Sequence, residues 1–529
     1  MAGAATALCP ALSAARESSP DRTPSTPEVK SFELDEITIA DLADGMNSGR
    51  FTARSLVEQY SARIDQVDKH GPAVNAIIEL NPDALVIADA LDRERKSKGP
   101  RGPLHGIPVL IKDNIATADR MMTTAGSLAL VGSKPPKDSF VVERLRAAGA
   151  VILGKTNLSE WANIRSNHSV SGWSGRGGLT RNPYALDRNP CGSSSGTGAG
   201  ISANLAAVGI GTETDGSIVC PSSVNGLAGI KPTVGLVSRS GIIPISHSQD
   251  TAGPMCRTLR DAAIVLGALT GLDPQDSATS ASAGKSQTDY AQYCDPNGLK
   301  GARIGVARKT LGFSEKVDAL MDSALEVMKK EGATIVDPAD FEGSERIREL
   351  TVFMYELKAD LNAYLAQLGP GSPVRTLKDI IEFNERNRGK EMPYFGQDLF
   401  IKSQEKGPLT EKDYIDALAK NQRLARSEGI DAVMDKYTLD AIVGPTGGPA
   451  WLTDLIDGDH FDGGSSQFPA VAGYPNINVV AGSVLGLPVG ISFFGRAWSE
   501  PTLIKIAYAF EQATKARQAP RFLPTIRPA

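Results

Sequence analysis

The sequence predicts an α/β fold built around one sheet. Two patterns predict it: short apolar runs of strand length recur along the chain, and amphipathic stretches of helical period separate them. Gly and Pro clusters punctuate the joints, as expected where strands and helices alternate.

The elements follow in order. Thr52 and Ser55 precede Leu56, Val57, Tyr60, Ile64 and Val67, a stripe that covers one face of a helix, and residues 36–95 read as helical. Gly99-Pro100 and Gly102-Pro103 break that pattern. The apolar run 107–111 then reads as a short buried strand with Lys112 at its end. Residues 138–148 are helical, Gly149 stops them, and 151–154 give the next strand. Residues 205–210 and 303–307 repeat the strand signal, and 314–330 supply a helix. Over 341–430, charged helical stretches such as 376–386 and 411–426 replace the Gly-punctuated strands and read as an insertion. Strand character returns at 441–445, 477–480 and 489–493, and 502–513 is a closing helix. No repeat of solenoid length is present. The expected organisation is a disordered tail (1–30), a helical segment packed on the core (31–95), and an α/β domain (96–529) carrying the insertion at about 341–430.

Composition excludes several classes. Among 529 residues, 56 Lys+Arg against 61 Asp+Glu leave a net charge of −5, which disfavours nucleic-acid binding by bulk charge. The 53 Gly and 33 Pro are too few and too irregular for collagen-like or low-complexity chains. No apolar run approaches a membrane span. The first thirty residues are rich in Ala, Ser, Pro and Thr and lack a basic leader, so they read as a tail, with a truncated signal peptide as the alternative. A cytoplasmic location is expected, or a secreted or periplasmic one if the tail is a signal remnant. Cys9, Cys191, Cys220, Cys256 and Cys294 form no C-x-x-C pair, which suggests neither a zinc cage nor a disulfide framework and fits a reducing compartment.

Three segments carry chemistry. Lys112 follows five mostly apolar residues; a strand-end lysine commonly snorkels to water, whereas a buried amine sheds its proton and becomes a base. The block 191–200 is almost entirely small residues, suited to unusual dihedrals and close approach. It lacks the Gly-Lys-Ser/Thr of a phosphate loop and the G-x-G-x-x-G of a dinucleotide site. It does satisfy G-x-S-x-G with Ser194 central, and Ser194, Asp250 and His460 stand in an order acceptable for an α/β-hydrolase, though such a match arises easily by chance in a Gly/Ser-rich loop. Residues 211–218 place Ser217 after a Gly-bearing turn whose N–H groups suit an oxyanion; alone, it is equally an ordinary turn.

Together these segments resemble the amidase signature hydrolases. The resemblance runs from about residue 36 to 525 and includes Gly106-Ile107-Pro108 through Lys112-Asp113-Asn114, Gly154-Lys155-Thr156-Asn157, Gly229-Ile230-Lys231-Pro232-Thr233, Asp250-Thr251-Ala252-Gly253-Pro254 and Gly486-Leu487-Pro488-Val489-Gly490. It implies a mixed twisted central sheet covered by helices on both faces. It also implies a Ser-Ser-Lys triad of Lys112, Ser193 and Ser217, a cis Gly192-Ser193 peptide, and oxyanion donors from Thr214, Asp215, Gly216 and Ser217. No cofactor and no metal are expected. Asp215 stands where the commonest family turn has a second glycine, and Val219 where a cation often follows. The run 213–221 looks most like peptide amidases, which remove the C-terminal amide nitrogen of peptides. Trp173, Tyr394 and Phe395 are candidates to line a peptide groove, although such aromatics are more often core. The alternatives are an amidase of small aliphatic or aryl amides, a non-catalytic binder, and a partner-dependent amidotransferase subunit. The expected partners are a small-molecule or peptide amide substrate, with no nucleic acid and no membrane, for a monomer or homodimer.

Overall fold

A computed structural model describes residues 26–369 and 371–526. The tail or signal reading of residues 1–30 therefore lies outside the described residues except for 26–30, which form neither helix nor strand. Eleven strands form a single mixed sheet. From one edge they run Ile77–Leu80, Val151–Thr156, Pro108–Lys112, Val208–Glu213, Thr251–Cys256, Ala228–Lys231, Asn476–Val484, Leu487–Phe494, Ala441–Pro445, Arg303–Val306 and Thr334–Val336. Val151–Thr156, Pro108–Lys112 and Val208–Glu213 are mutually parallel, with Val109 facing both Ile152 and Val208. All three are buried along their whole length, which is why they read as near-continuous apolar runs. The next pairings, through to the strand Ala441–Pro445, are antiparallel.

Most apolar runs become the expected elements, for instance the helices Phe140–Ala147 and Glu315–Lys330. The stretch 36–95 is helical in large part but also holds the edge strand Ile77–Leu80. Four residues set against the strand Val151–Thr156 need only one antiparallel partner, and so short a segment carries no periodicity of its own. The strands Ala228–Lys231 and Thr251–Cys256 were hidden likewise by Gly and Pro inside them. Within 341–430 lie the helices Glu349–Gln367, Leu377–Arg386, Asp398–Gln404 and Lys412–Ala425. A cluster centred on Leu357, Leu361, Leu377 and Phe400 packs against Leu130, Leu158 and Trp161 of the sheet-bearing part.

The small residues of the block 191–200 serve close packing. The helix Ser195–Ser202 is buried on every side. A β-carbon at Gly196 would fall 2.3 Å from the Ala76 carbonyl oxygen and 2.5 Å from that of Asn157, so only hydrogen fits. That seats the helix on the sheet and fixes the loop before it, which holds Ser193.

Candidate active site

The strand Pro108–Lys112 delivers Lys112 into the interior with no exposed surface. Its Nζ lies 2.7 Å from Ser193 Oγ, 2.9 Å from Thr212 Oγ1 and 3.2 Å from the Thr212 carbonyl oxygen. Asn114 Nδ2 donates to the same Thr212 hydroxyl at 2.9 Å. Burial pushes the lysine down from 10.5 to about 7, against the pull of Asp250 and Glu213, whose charges favour the ammonium. Two other lysines are as deeply buried, and burial lowers each to about 8. Lys155 donates to the Ile115 carbonyl at 2.5 Å and to Thr123 Oγ1 at 2.8 Å, and Lys231 to the Tyr474 carbonyl at 2.6 Å. Those two tie loops together; among the three, Lys112 alone meets a serine.

Ser193 and Ser217 sit in two loops that precede short helices, Ser195–Ser202 and Val219–Val224. The Gly192-Ser193 peptide is cis. The Ser194 N–H donates to the Ser217 carbonyl at 3.3 Å, which brings the loops side by side. Ser193 is fully buried, whereas Ser217 keeps 9% of its surface open. Gly216 takes φ +77°, a left-handed turn that reverses the chain just before Ser217. Among the described residues, the N–H groups of Asp215, Gly216 and Ser217 have no acceptor. The Glu213 carboxylate braces the turn from behind, accepting the N–H of Ile218 at 2.7 Å and of Val219 at 3.0 Å. Thr214 Oγ1 donates to Asp250 Oδ1 at 2.6 Å, and the other Asp250 oxygen accepts the N–H of Ile245 and Ser246. A cavity of about 230 Å³, lined by Asn114, Thr212, Thr214, Ile243, Asp250 and Tyr364, opens beside this network.

The hydrolase-elbow reading fails here. Ser194 Oγ is fully buried, donates to the Thr212 carbonyl at 3.1 Å and accepts the Thr212 N–H at 3.2 Å, so its hydroxyl is a strand clasp. His460 bonds Asp454 at 3.1 Å, and both Asp250 oxygens are taken. Trp173 and Phe395 are core, packed edge-on with the Arg165 guanidinium over the Phe395 ring, which leaves Tyr394 as the exposed member of that trio. The cysteine reading is also corrected, because Cys191 and Cys220 form a disulfide. They are 29 residues apart in sequence, and only the meeting of the two serine loops brings them together. With a bridge present, cysteine usage no longer speaks for a reducing compartment. Sequence reasoning missed Thr212 as a lysine partner and Asp250 as a neighbouring charge; cysteines two and three residues from the two serines were the available signal for the bridge.

His247, Glu356 and Asp360 are grouped closely enough to suggest a metal, but their bonds are spent on one another and on neighbours. His247 Nδ1 bonds Asp360 at 2.8 Å, and Glu356 accepts from Tyr414 and Ser248. Among the described residues, no helix is long and apolar enough to cross a membrane.

A buried lysine on a serine hydroxyl, with a second serine on the adjoining loop at a turn with free N–H groups, can support nucleophilic catalysis with an amine in place of histidine. The chain belongs to the Amidase family, whose profile matches residues 55–504, and it is an amidase. The structure of native peptide amidase from Stenotrophomonas maltophilia superposes with a TM-score of 0.88 at 49% identity, covering 93% of this chain and 99% of that one. A probable amidase of Arabidopsis thaliana is 44% identical over 503 residues, 93% of each chain. A glutamyl-tRNA(Gln) amidotransferase subunit of Alkalilimnicola ehrlichii is 32% identical over 504 residues, 92% of this chain and 99% of the relative.

Proposed function

We propose that this amidase cleaves the C-terminal carboxamide of peptides through Lys112, Ser193 and Ser217, by way of a covalent acyl-enzyme. The observation that carries the reading is the 2.7 Å approach of a fully buried lysine amine to Ser193 Oγ. With its pKa near neutrality the amine is largely uncharged in mildly alkaline water. Its two N–H bonds then go to Thr212 Oγ1 and the Thr212 carbonyl, and its lone pair faces the Ser193 hydroxyl.

An amide resists attack because resonance stabilises it and its nitrogen leaves badly as an anion, so the catalyst must both deprotonate a nucleophile and protonate that nitrogen. One relay does both. Lys112 takes the Ser193 proton while Ser193 takes that of Ser217, and Ser217 Oγ bonds to the carbonyl carbon. The N–H groups of the turn 214–217 receive the negative oxygen as it forms. The proton returns through Ser193 to the nitrogen as the C–N bond breaks and ammonia leaves. Water then repeats the cycle on the ester and frees the acid. The likeness to a peptide amidase supports the choice of substrate.

The test is ammonia release by the lone chain from peptide amides, aliphatic amides and aryl amides, without nucleotide. Release from peptide amides above the others is expected. Activity that appears only with ATP and added partner chains would instead indicate an amidotransferase subunit. A Ser217→Ala variant should lose labelling by a fluorophosphonate probe, and retained labelling would remove Ser217 from the reaction.

A further inference from the structure

Two cysteines bracket the serine loops. Cys191 lies two residues before Ser193 and Cys220 three after Ser217, and their bridge holds the two Cα atoms 6.1 Å apart. Resting on the roles given above to Ser193 and Ser217, we infer that the Cys191–Cys220 disulfide is a positioning device for the reaction, setting the spacing of the two serines.

Neither serine lies in a strand; the strand Val208–Glu213 anchors each loop through a side chain, Ser194 Oγ on the Thr212 backbone and the Glu213 carboxylate on the N–H groups of Ile218 and Val219. Each sits in a loop, so no strand ladder sets the gap between them. The direct backbone link, Ser194 N–H to the Ser217 carbonyl, is long at 3.3 Å. Asn225 Nδ2 adds a second link behind the bridge, donating to the Pro190 carbonyl at 2.9 Å and to that of Pro221 at 2.7 Å. The disulfide is the only covalent tie between the loops among the described residues. Cys191 also has φ +55°, in the left-handed region that an ordinary L-residue seldom adopts. Glycine would adopt that backbone freely, yet a side chain is kept, and Asn189 Oδ1 accepts the Cys191 N–H at 2.8 Å to hold it. Both cysteines are 5% exposed and pack with Tyr184, Ala185, Val224, Ala450 and Leu487, so the bridge has a rigid seat. A proton relay is far less tolerant than a fold: a displacement of about 1 Å costs on the order of a hundredfold in rate.

The experiment compares the wild-type chain with a Cys191→Ser/Cys220→Ser variant. It reads kcat, KM, the rate of fluorophosphonate labelling, and the melting temperature. The bridge variant is expected to lose about tenfold to a hundredfold in kcat and in labelling rate, with KM within about twofold and a folded circular-dichroism spectrum at the assay temperature. Native reduction of the wild type with a trialkylphosphine gives the second arm. The phosphine supplies two electrons and takes up the oxygen of one water, whose two protons complete the two thiols. Loss of kcat on reduction and its recovery on re-oxidation are expected, with both thiols counted by alkylation and mass. If the double variant is insoluble, this arm decides alone. A lowered melting temperature with unchanged kcat and labelling rate would make the bridge a stabiliser and overturn the inference. Labelling that survives Ser217→Ala would overturn the underlying assignment of Ser217 instead.

Discussion

Replacing Lys112 by methionine should stabilise the protein near neutral pH and destroy its activity. Burial lowers the lysine from 10.5 to about 7. Each pH unit of that gap corresponds to about 1.4 kcal/mol, so housing this amine costs the fold about 5 kcal/mol at pH 6 and below. Methionine is of similar length and needs no proton, which removes the cost. It also takes one donor, worth about 1 kcal/mol, from each of three oxygens, Ser193 Oγ, Thr212 Oγ1 and the Thr212 carbonyl, of which the last two keep Asn114 and Ser194 as donors. The net gain is about 2 kcal/mol at pH 6 to 7. The sign then changes with pH. Between about 7 and 10.5 the unfolded wild type holds a proton that the folded chain does not, so its stability rises relative to the variant by up to about 1.4 kcal/mol per pH unit. The two proteins should therefore exchange order at about pH 8 to 9. Urea unfolding of both at pH 6.5, 7.5, 8.5 and 9.5 reads this directly. A stability difference that stays flat with pH would mean that Lys112 is charged in the fold, and the relay would lose its base.

Two further outcomes follow from the same geometry. The Asp250 carboxylate favours the charged form of Lys112, so Asp250→Asn should move the acid limb of the kcat/KM profile from about 7 toward lower pH; an unmoved or rising limb would place the titration elsewhere. Asparagine can keep its carbonyl on the Ile245 and Ser246 amides while the Thr214 hydroxyl turns to accept. Ser194→Ala should lower the melting temperature by removing the clasp on Thr212, a loss of about 1–3 kcal/mol, while fluorophosphonate still labels Ser217. Loss of labelling at Ser217, with the fold intact, would revive the elbow reading.

Much of the molecule was legible because its signals are local. The strands ending at Lys112 and Glu213 are buried on both faces, and such strands announce themselves as apolar runs. The long helices beyond residue 341 announce themselves by period and charge. The strand Ile77–Leu80 was not legible, because four residues bear no period and its existence depends on a partner more than seventy residues away. Motif spacing ranked Ser193 above Ser194, whose five-residue hydrolase pattern a Gly/Ser-rich loop meets by chance, but how the Ser194 hydroxyl is spent is shown only by the Thr212 backbone on either side of it.

The sequence by itself determined the chemical inventory: an amine at the end of an apolar run, two hydroxyl-bearing Gly-rich loops, and blocks that mark the Amidase family. Tertiary structure decided which of three buried lysines meets a serine, that Asp250 and Glu213 oppose its loss of charge, and that Cys191 pairs with Cys220. The division has a physical cause. Burial along a strand is written in neighbouring residues, whereas desolvation, Coulomb attraction and cross-linking act between groups that are close in space and far apart in the chain.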